Sequence, residues 1–519
     1  MSALTAPVEK MSMAQWLGFF AMLFGNFMAI LDIQIVASSL LDIQAGLAAS
    51  ASDMVWVQSA YLIAEVVAIP LSGFLSRLLS TRGMFLLSAG GFTLMSLASA
   101  FAWNIESMIA FRALQGFFGG GMIPTTMAAL FLLFPKEKTM KAQILVGLVS
   151  TLAPVIGPTL GGYLTQLYSW HWLFLINVGP GILICLGVAK FVHIDKPDYS
   201  LLAKLDYIGM LAMAMFLGAL EYVLEEGPRN SWFDDDAIVI CSILSVCGAI
   251  VFFWRVLTRE QPIVDLSSFK NSNFALASVF AMCLGVALYG STFVLPLFLG
   301  QIRGYSSLQI GELMGVSGLV MLFASPLVGN SLRFFKKKQV ISFGIAVLAI
   351  SCFMSAQLTP DWGFDEFLIA QLLRGIGLIC CFIPLTALAM GTLPTHQVKS
   401  ASGLFNLMRN LGGAFGLAYL NTLLEGRQAY HWQQLIPAIN AGRQEVMDTL
   451  QNTAVQLAQV GIASPQAAAL ASIAQRVQRQ ALVLTFNDMY MTIAILALVG
   501  LALVPFLKEA SPTTHIDSH

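Results

Sequence analysis

Apolar runs long enough to cross a lipid bilayer recur along almost the whole chain, and no other feature limits its fold so sharply. A hydrocarbon core about 30 Å thick takes about 20 residues of helix. Runs of that length lie near residues 15–40, 54–76, 83–102, 107–133, 140–165 and 170–192, then near 206–224 and 236–257. Six more lie near 273–300, 307–331, 338–358, 365–392, 398–424 and 486–508. Inside lipid every backbone N–H and C=O must find its partner within the segment, so such runs are helices whatever their periodicity. The sequence therefore predicts an all-α integral membrane protein with fourteen transmembrane helices. Composition agrees: 57% of the 519 residues are hydrophobic and 11% are charged, against about 25% charged in a soluble domain. The first run is too long for the core of a signal peptide and no small-residue cleavage site follows it, so it reads as the first span.

Orientation follows from Lys and Arg. With the N-terminus in the cytoplasm, 18 of the 27 basic residues fall in cytoplasmic tails and loops and six on the far side. That asymmetry is the one expected of a multi-pass membrane protein. An even number of spans then puts both termini in the cytoplasm. The formal net charge of −1 gives no reason to expect a nucleic-acid partner. The seven cysteines all lie in apolar runs without a CxxC pair, and read as small buried hydrophobes rather than disulfides or metal ligands. The histidines at 171, 193, 396, 431, 515 and 519 read as loop or tail residues. No metal site and no cofactor are expected.

Charge inside a bilayer is costly and usually faces a partner or a wet cavity. Three basic residues, Arg112, Arg374 and Arg409, lie inside spans, and Asp32, Glu65, Glu221 and Glu312 lie in or near them. The chain also echoes itself. Ile123-Pro124-x-Thr126-x-x-Ala129 returns as Ile383-Pro384-x-Thr386-x-x-Ala389, an offset of 260, and Tyr163-Leu164 returns as Tyr419-Leu420, an offset of 256. Near-constant offsets suggest two six-helix bundles in parallel orientation with a helix pair inserted between them. The expected division is 1–192 for the first bundle, 193–260 for the inserted pair and its linkers, and 261–519 for the second bundle. The second bundle carries an extracytoplasmic hairpin at 425–485, with helices expected near 441–460 and 464–482.

Several motifs resemble those of the major facilitator superfamily. The fourth span reads Arg112-Ala113-Leu114-Gln115-Gly116, followed by Gly119-Gly120-Gly121, which is similar to the superfamily's arginine motif. The fifth span holds Pro154-Val155-Ile156-Gly157-Pro158-Thr159-Leu160-Gly161-Gly162, which resembles its antiporter motif. Leu31-Asp32-Ile33-Gln34-Ile35-Val36 is similar to the acidic first-helix motif of fourteen-span drug:proton antiporters. Pro262-Ile263-Val264-Asp265 resembles the opening of the second half in EmrB-type exporters. The chain is thus identified as a member of the EmrB/QacA group, on the EmrB side, where fatty-acid exporters also occur. The resemblance implies the major facilitator fold and proton-driven export of lipophilic drugs or toxic amphiphiles by alternating access. It also implies a tripartite efflux system with a periplasmic adaptor and an outer-membrane channel. One departure stands out: the loop after the second span carries Arg77 where the superfamily places an acid that helps latch the cytoplasmic gate.

A proton-coupled exporter needs a group that is protonated in one facing state and ionised in the other. A carboxylate beside a cation in low dielectric serves, because burial favours its neutral form and the cation its charged form. Asp32 and Arg112 are the candidate pair; a static ion pair holding two helices is the plainer alternative. Glu65 reads as a second proton carrier or a recognition point for cationic drugs, or else as a neutral hydrogen-bonded carboxyl. Gln34, Gln115, Arg374, Arg409 and Glu312 are candidates for the substrate cavity, the two arginines for an anionic headgroup such as a fatty carboxylate. Glu312 and Glu221 lie near the outer ends of their spans, where the simpler reading is solvation. In the run 154–162, Pro154 and Pro158 would bend the helix and the small residues Gly157, Gly161 and Gly162 would permit a tight, sealing contact with a neighbour. The hairpin reads as an adaptor dock or as a lid on its own protein. The competing functions are a same-fold uptake symporter for a nutrient or siderophore, a polytopic membrane enzyme and a non-transporting receptor. The antiporter motif argues against the first, the lack of a metal or nucleophile constellation against the second, and the charges in spans against the third.

Overall fold

The computed structural model describes residues 12–37, 39–259, 262–394, 396–439, 443–460, 462 and 464–507. The terminal residues Lys10, Lys508, His515 and His519 lie outside them. Every regular element among the described residues is helical. In order they are α1 (Met13–Ala37), α2 (Leu40–Leu47), α3 (Ala51–Ala100), α4 (Ile105–Gly119), α5 (Met122–Leu133), α6 (Lys136–Leu167), α7 (Trp172–Leu175) and α8 (Val178–Phe191). There follow α9 (Tyr207–Glu226), α10 (Asp236–Thr258), α11 (Ser272–Phe298), α12 (Ser307–Ser331), α13 (Lys337–Ser355), α14 (Phe364–Met390), α15 (Val398–Leu435), α16 (Gln444–Gln459) and α17 (Pro465–Leu503).

Among the described residues, eleven helical stretches are long and apolar enough to cross a membrane. One of them, Trp56–Ala100, is two crossings joined at Ser80, whose φ of 70° breaks the helix. The second and third spans therefore meet at a one-residue hinge rather than a loop. The continuous 32-residue α6 and the 38-residue α15 supply two more crossings, which brings the total to fourteen. Asn406, Arg409 and Asn410 make α15 less apolar than its neighbours.

Two expected boundaries are corrected. The helix of the thirteenth span runs on past 424, since α15 continues to Leu435. The second hairpin helix is not separate from the last span, because α17 is one helix of 39 residues. At about 1.5 Å per residue it is about 58 Å long, roughly twice the hydrocarbon thickness. The physical reason is that Gln, Ala and Arg beyond the membrane are good helix formers and carry the helix on into water. His431, expected in a loop, consequently lies within α15, where its Nε2 is 2.8 Å from Asp488 Oδ2; Arg427 Nε donates to the same oxygen at 2.6 Å.

Within the first half α1 packs on α5, α6 and α8, and α3 packs on α4, α5 and α8. Within the second half α13 packs on α14 and α17, and α11 on α14, α15 and α17. The halves meet where α6 lies against α12 and α14, and where α15 lies against α3 and α5. The α9–α10 pair packs on itself and rests, through α9, on both α3 and α15.

Candidate proton-coupling and substrate site

Asp32 sits about four-fifths of the way along α1 and is fully buried. Its carboxylate accepts three side-chain hydrogen bonds. Arg112 Nη1 of α4 donates to Oδ2 at 2.6 Å, while Gln115 Nε2 and Asn177 Nδ2 donate to Oδ1 at 3.1 and 2.7 Å. Arg112 and Gln115 are one helical turn apart on α4, and Arg112 Nη1 also donates to Gln115 Oε1 at 2.9 Å. Arg112 Nε donates to the Val57 carbonyl at 3.2 Å, and the guanidinium lies 4.3 Å from the centroid of the Tyr61 ring. Asn177, just before α8, donates as well to Ser96 Oγ, which donates to the Phe174 carbonyl. The expected Asp32–Arg112 pair is thus the centre of a network joining α1, α3, α4 and the start of α8. Arg112 Nη2 is buried without a partner. A buried charge left unpaired costs far more than a paired one, so loss of the Asp32 charge would release Arg112 from its present place.

The other intramembrane charges are spread between the halves. Glu65 of α3 is 4% exposed, and the cations that bear on it are Arg409 of α15 and Arg112. Arg409 is also 4% exposed; its guanidinium lies 5.9 Å from the Phe382 ring and its Nε has no partner. Arg374 of α14 is buried but well satisfied, donating to Ser291 Oγ at 3.0 Å, Gln371 Oε1 at 3.2 Å and Thr292 Oγ1 at 2.5 Å. All three partners are neutral. Glu312 is exposed near the start of α12, and Gln34 is half-buried. Glu221 departs from expectation. It is not solvated but 7% exposed, because α9 leans on α3 and α15 instead of standing apart in lipid.

The antiporter-type run lies in α6, wedged between α1 and α12. A Cβ on Gly157 would fall 2.4 Å from Gln34 Cβ, and one on Gly311 would fall 1.6 Å from Thr159 Oγ1. Small residues at 157 and 311 therefore let one helix touch both halves closely. Gly161 is buried and Pro158 and Gly162 are half-buried in the same helix; the side chain of Pro154 lies outside the described set. α6 remains one continuous helix across both prolines.

Near Arg77, an acid from another segment ties the end of α3's first half to α15. Asp195, in the linker after α8, accepts the Thr81 N–H at 3.0 and 3.2 Å and pairs with Lys399 in the first turn of α15. Lys399 Nζ donates in addition to the Ser76 carbonyl at 3.0 Å. Close by, Ser402 Oγ donates to the Pro124 carbonyl at 3.0 Å. Neither Asp195 nor Asn177 was singled out by sequence reasoning. Asn177 had a signal, a lone amide within an apolar run; Asp195 had none, since its partners are remote in sequence.

Residues 22–417 of the sequence match the model of the Major Facilitator Superfamily. The chain belongs to the major facilitator superfamily. Within the superfamily it is 44% identical to the colistin resistance protein EmrB of Acinetobacter baumannii, over 95% of this chain and 96% of that one. It is 30% identical to the fatty acid resistance protein FarB of Neisseria gonorrhoeae and 29% identical to the multidrug export protein EmrB of Escherichia coli, each alignment covering 94% of both chains. The human organic anion transporter MFSD10 shares the fold, with a TM-score of 0.59 at 14% identity over 93% of this chain and 99% of the other. The chain is a multi-pass membrane transporter of the EmrB type, not an enzyme.

Proposed function

We propose that this transporter exports lipophilic drugs and toxic amphiphiles, fatty acids among them, across a bacterial inner membrane in exchange for protons. Residues 1–192 and 261–519 rock as two bundles about the α6–α12 contact, with both termini in the cytoplasm. The observation that carries the reading is Asp32, a carboxylate buried inside a span and held by one cation and two amides. Ionised, it fixes Arg112 and ties α1 to α4. Protonated, it loses its hold on Arg112, and the network relaxes toward a different packing of the same helices. Each facing state then favours one protonation form, which couples proton movement to the switch. In the present conformation the Asp195–Lys399 pair closes the basic face and takes over the latching role of the acid replaced by Arg77.

Gln34, Gln115, Glu312, Arg374 and Arg409 serve the substrate path, the arginines meeting anionic headgroups. The names of the relatives, which speak of colistin, fatty acids and many drugs, support a broad amphiphilic range. The hairpin of α16 and the start of α17 docks a periplasmic adaptor that leads to an outer-membrane channel. Exposed Met447, Val455, Val460 and Leu470 support that role. The test is expression in a bacterium stripped of its own efflux pumps. Tolerance to lipophilic compounds should rise, and Asp32→Asn should remove the gain at equal membrane abundance; tolerance kept by the variant would refute proton coupling through Asp32.

A further inference from the structure

The turn between α12 and α13 joins the second and third spans of the second half, and is the counterpart of the hinge at Ser80 in the first. The first-half turn is covered by the linker after α8. Asp195 accepts the Thr81 N–H, the Asp198 N–H donates to the Arg77 carbonyl at 3.2 Å, and His193 Nε2 lies 3.0 Å from Arg82 Nη1. The second-half turn is open instead. Phe334 is 79% exposed and Phe335 58%, with Arg333 and Lys336 exposed beside them. Lys337 turns back onto the protein, its Nζ donating to the Ala387 carbonyl near the end of α14 at 3.5 Å. The run Arg333-Phe334-Phe335-Lys336-Lys337-Lys338 thus sets four cations around two aromatic rings. No acid occurs between Glu312 and Asp361 or between Glu366 and Glu425, so neither this turn nor the α14–α15 turn beside it holds a counter-charge of its own. Clustered cations at a membrane surface attract anionic headgroups, and exposed phenylalanines enter the boundary between headgroups and acyl chains.

An apolar cleft begins at the same end of the second bundle. It lies among α11, α13, α14 and α17, holds about 380 Å³ of open space counting its mouth, and is lined by apolar side chains and the thiols of Cys283 and Cys381. Ile341, Leu385 and Gly500 each lie within five residues of the basic end of their helix, and Ile341 is one turn beyond Lys337 and Lys338. Leu348 and Ala287 line the cleft further in, roughly 16 and 22 Å from the starts of α13 and α11 at about 1.5 Å per residue. That is more than half of a hydrocarbon core about 30 Å thick, the reach of an acyl chain in one leaflet. Gly500 is buried, yet a Cβ on it would meet no atom within 4 Å, so a missing side chain keeps the cleft open there.

We propose that the α12–α13 turn and this cleft bind one anionic phospholipid of the surrounding membrane, its phosphate on Arg333, Lys336 and Lys338 and an acyl chain between α11, α13, α14 and α17. Cations at the mouth and an apolar lining beyond them match a molecule with an anionic head and a hydrocarbon tail. The lipid covers the second-half turn as residues 193–198 cover the first. The site lies within the second bundle and not between the halves, so it is separate from the substrate path and independent of the export reading.

The test titrates the full chain, purified in detergent, with dioleoyl phosphatidylglycerol or dioleoyl phosphatidylcholine and counts bound lipid by native mass spectrometry. Wild-type protein should retain one phosphatidylglycerol in preference to phosphatidylcholine. Arg333→Gln, Lys336→Gln and Lys338→Gln together should reduce that preference about a hundredfold, at about one decade or a little less per cation; Lys337, which bonds the protein itself, is left in place. Gly500→Leu fills the cleft and should weaken both lipids alike, leaving the preference between them unchanged. Thermal unfolding reports whether each variant folds; should the triple variant fail to fold, Arg333→Gln alone, on an exposed side chain, should reduce the preference about fivefold. Inorganic phosphate should not displace the lipid. No lipid preference in wild type, an unchanged preference in the folded charge variant, undiminished binding in folded Gly500→Leu, or full displacement by inorganic phosphate would each overturn the proposal.

Discussion

Asp195 joins the linker after α8 to both the hinge of α3 and the first turn of α15, so its removal should loosen the basic face in two separable steps. Asp195→Asn keeps an oxygen for the Thr81 N–H and loses the charge opposite Lys399. The two side chains are 21% and 13% exposed, between a surface pair and a buried one. A value of about 1–2 kcal/mol is appropriate there, since surface pairs are worth about 0–1 and a broken buried pair costs about 3–5. That shifts the ratio of closed to open states roughly tenfold, at about 1.4 kcal/mol per factor of ten. Asp195→Ala also strands the Thr81 N–H, on a residue with no exposed surface, and adds about 1–3 kcal/mol. Exchanging the charges, Asp195→Lys with Lys399→Asp, should restore the Asn-sized part and not the remainder, because no acceptor returns to Thr81. Spin labels at exposed Lys141 and Phe334, which flank the basic ends of α6 and α12, give the distance distribution by pulsed electron resonance. A longer-distance population should grow from wild type to Asn to Ala. Identical distributions in wild type and Asp195→Ala would refute the latch.

Three further outcomes are expected. Gly311→Ala drives a methyl group into Thr159 and should cost about 1–3 kcal/mol of stability with loss of transport; Thr159→Gly in the same chain should recover part of both, and a silent Gly311→Ala would count against the close α6–α12 contact. Asp206, at the mouth of α9, is held below the ordinary carboxylate range first by the hydrogen bond from Arg255 and also by the Gly209 N–H. Its contribution to stability is therefore present above the unfolded value, and is lost as pH falls through the lowered folded value; melting curves of wild type should steepen downward in acid while Asp206→Asn starts lower and responds less. Replacing residues 444–459 by a short flexible linker should abolish recovery of an adaptor with the purified transporter, and undiminished recovery would leave the hairpin as a lid.

The spans were legible in the sequence because bilayer thickness converts directly into run length, and Asp32 and Arg112 because charge inside such a run is conspicuous. Helix ends were not: hydropathy marks where α15 and α17 leave the membrane, whereas the helices end where backbone propensity fails. Asn177 escaped notice because an amide in an apolar run is a weaker signal than a charge. Glu221 was misread as solvated, since position along a span says nothing about which neighbour covers it. The pairing of Asp195 with Lys399 depends on packing between remote segments, and the departure at Arg77 flagged only that something else had to close the basic face.

The central claim is that Asp32 couples proton movement to export, and purified protein in liposomes tests it most directly. With a pH gradient imposed, lipophilic cations, neutral uncouplers and long-chain fatty acids are followed together with proton flux. Wild-type protein should move at least one class against its gradient while protons flow the other way, and Asp32→Asn should lose both fluxes at equal incorporation. Gradient-driven transport undiminished in Asp32→Asn would contradict the account.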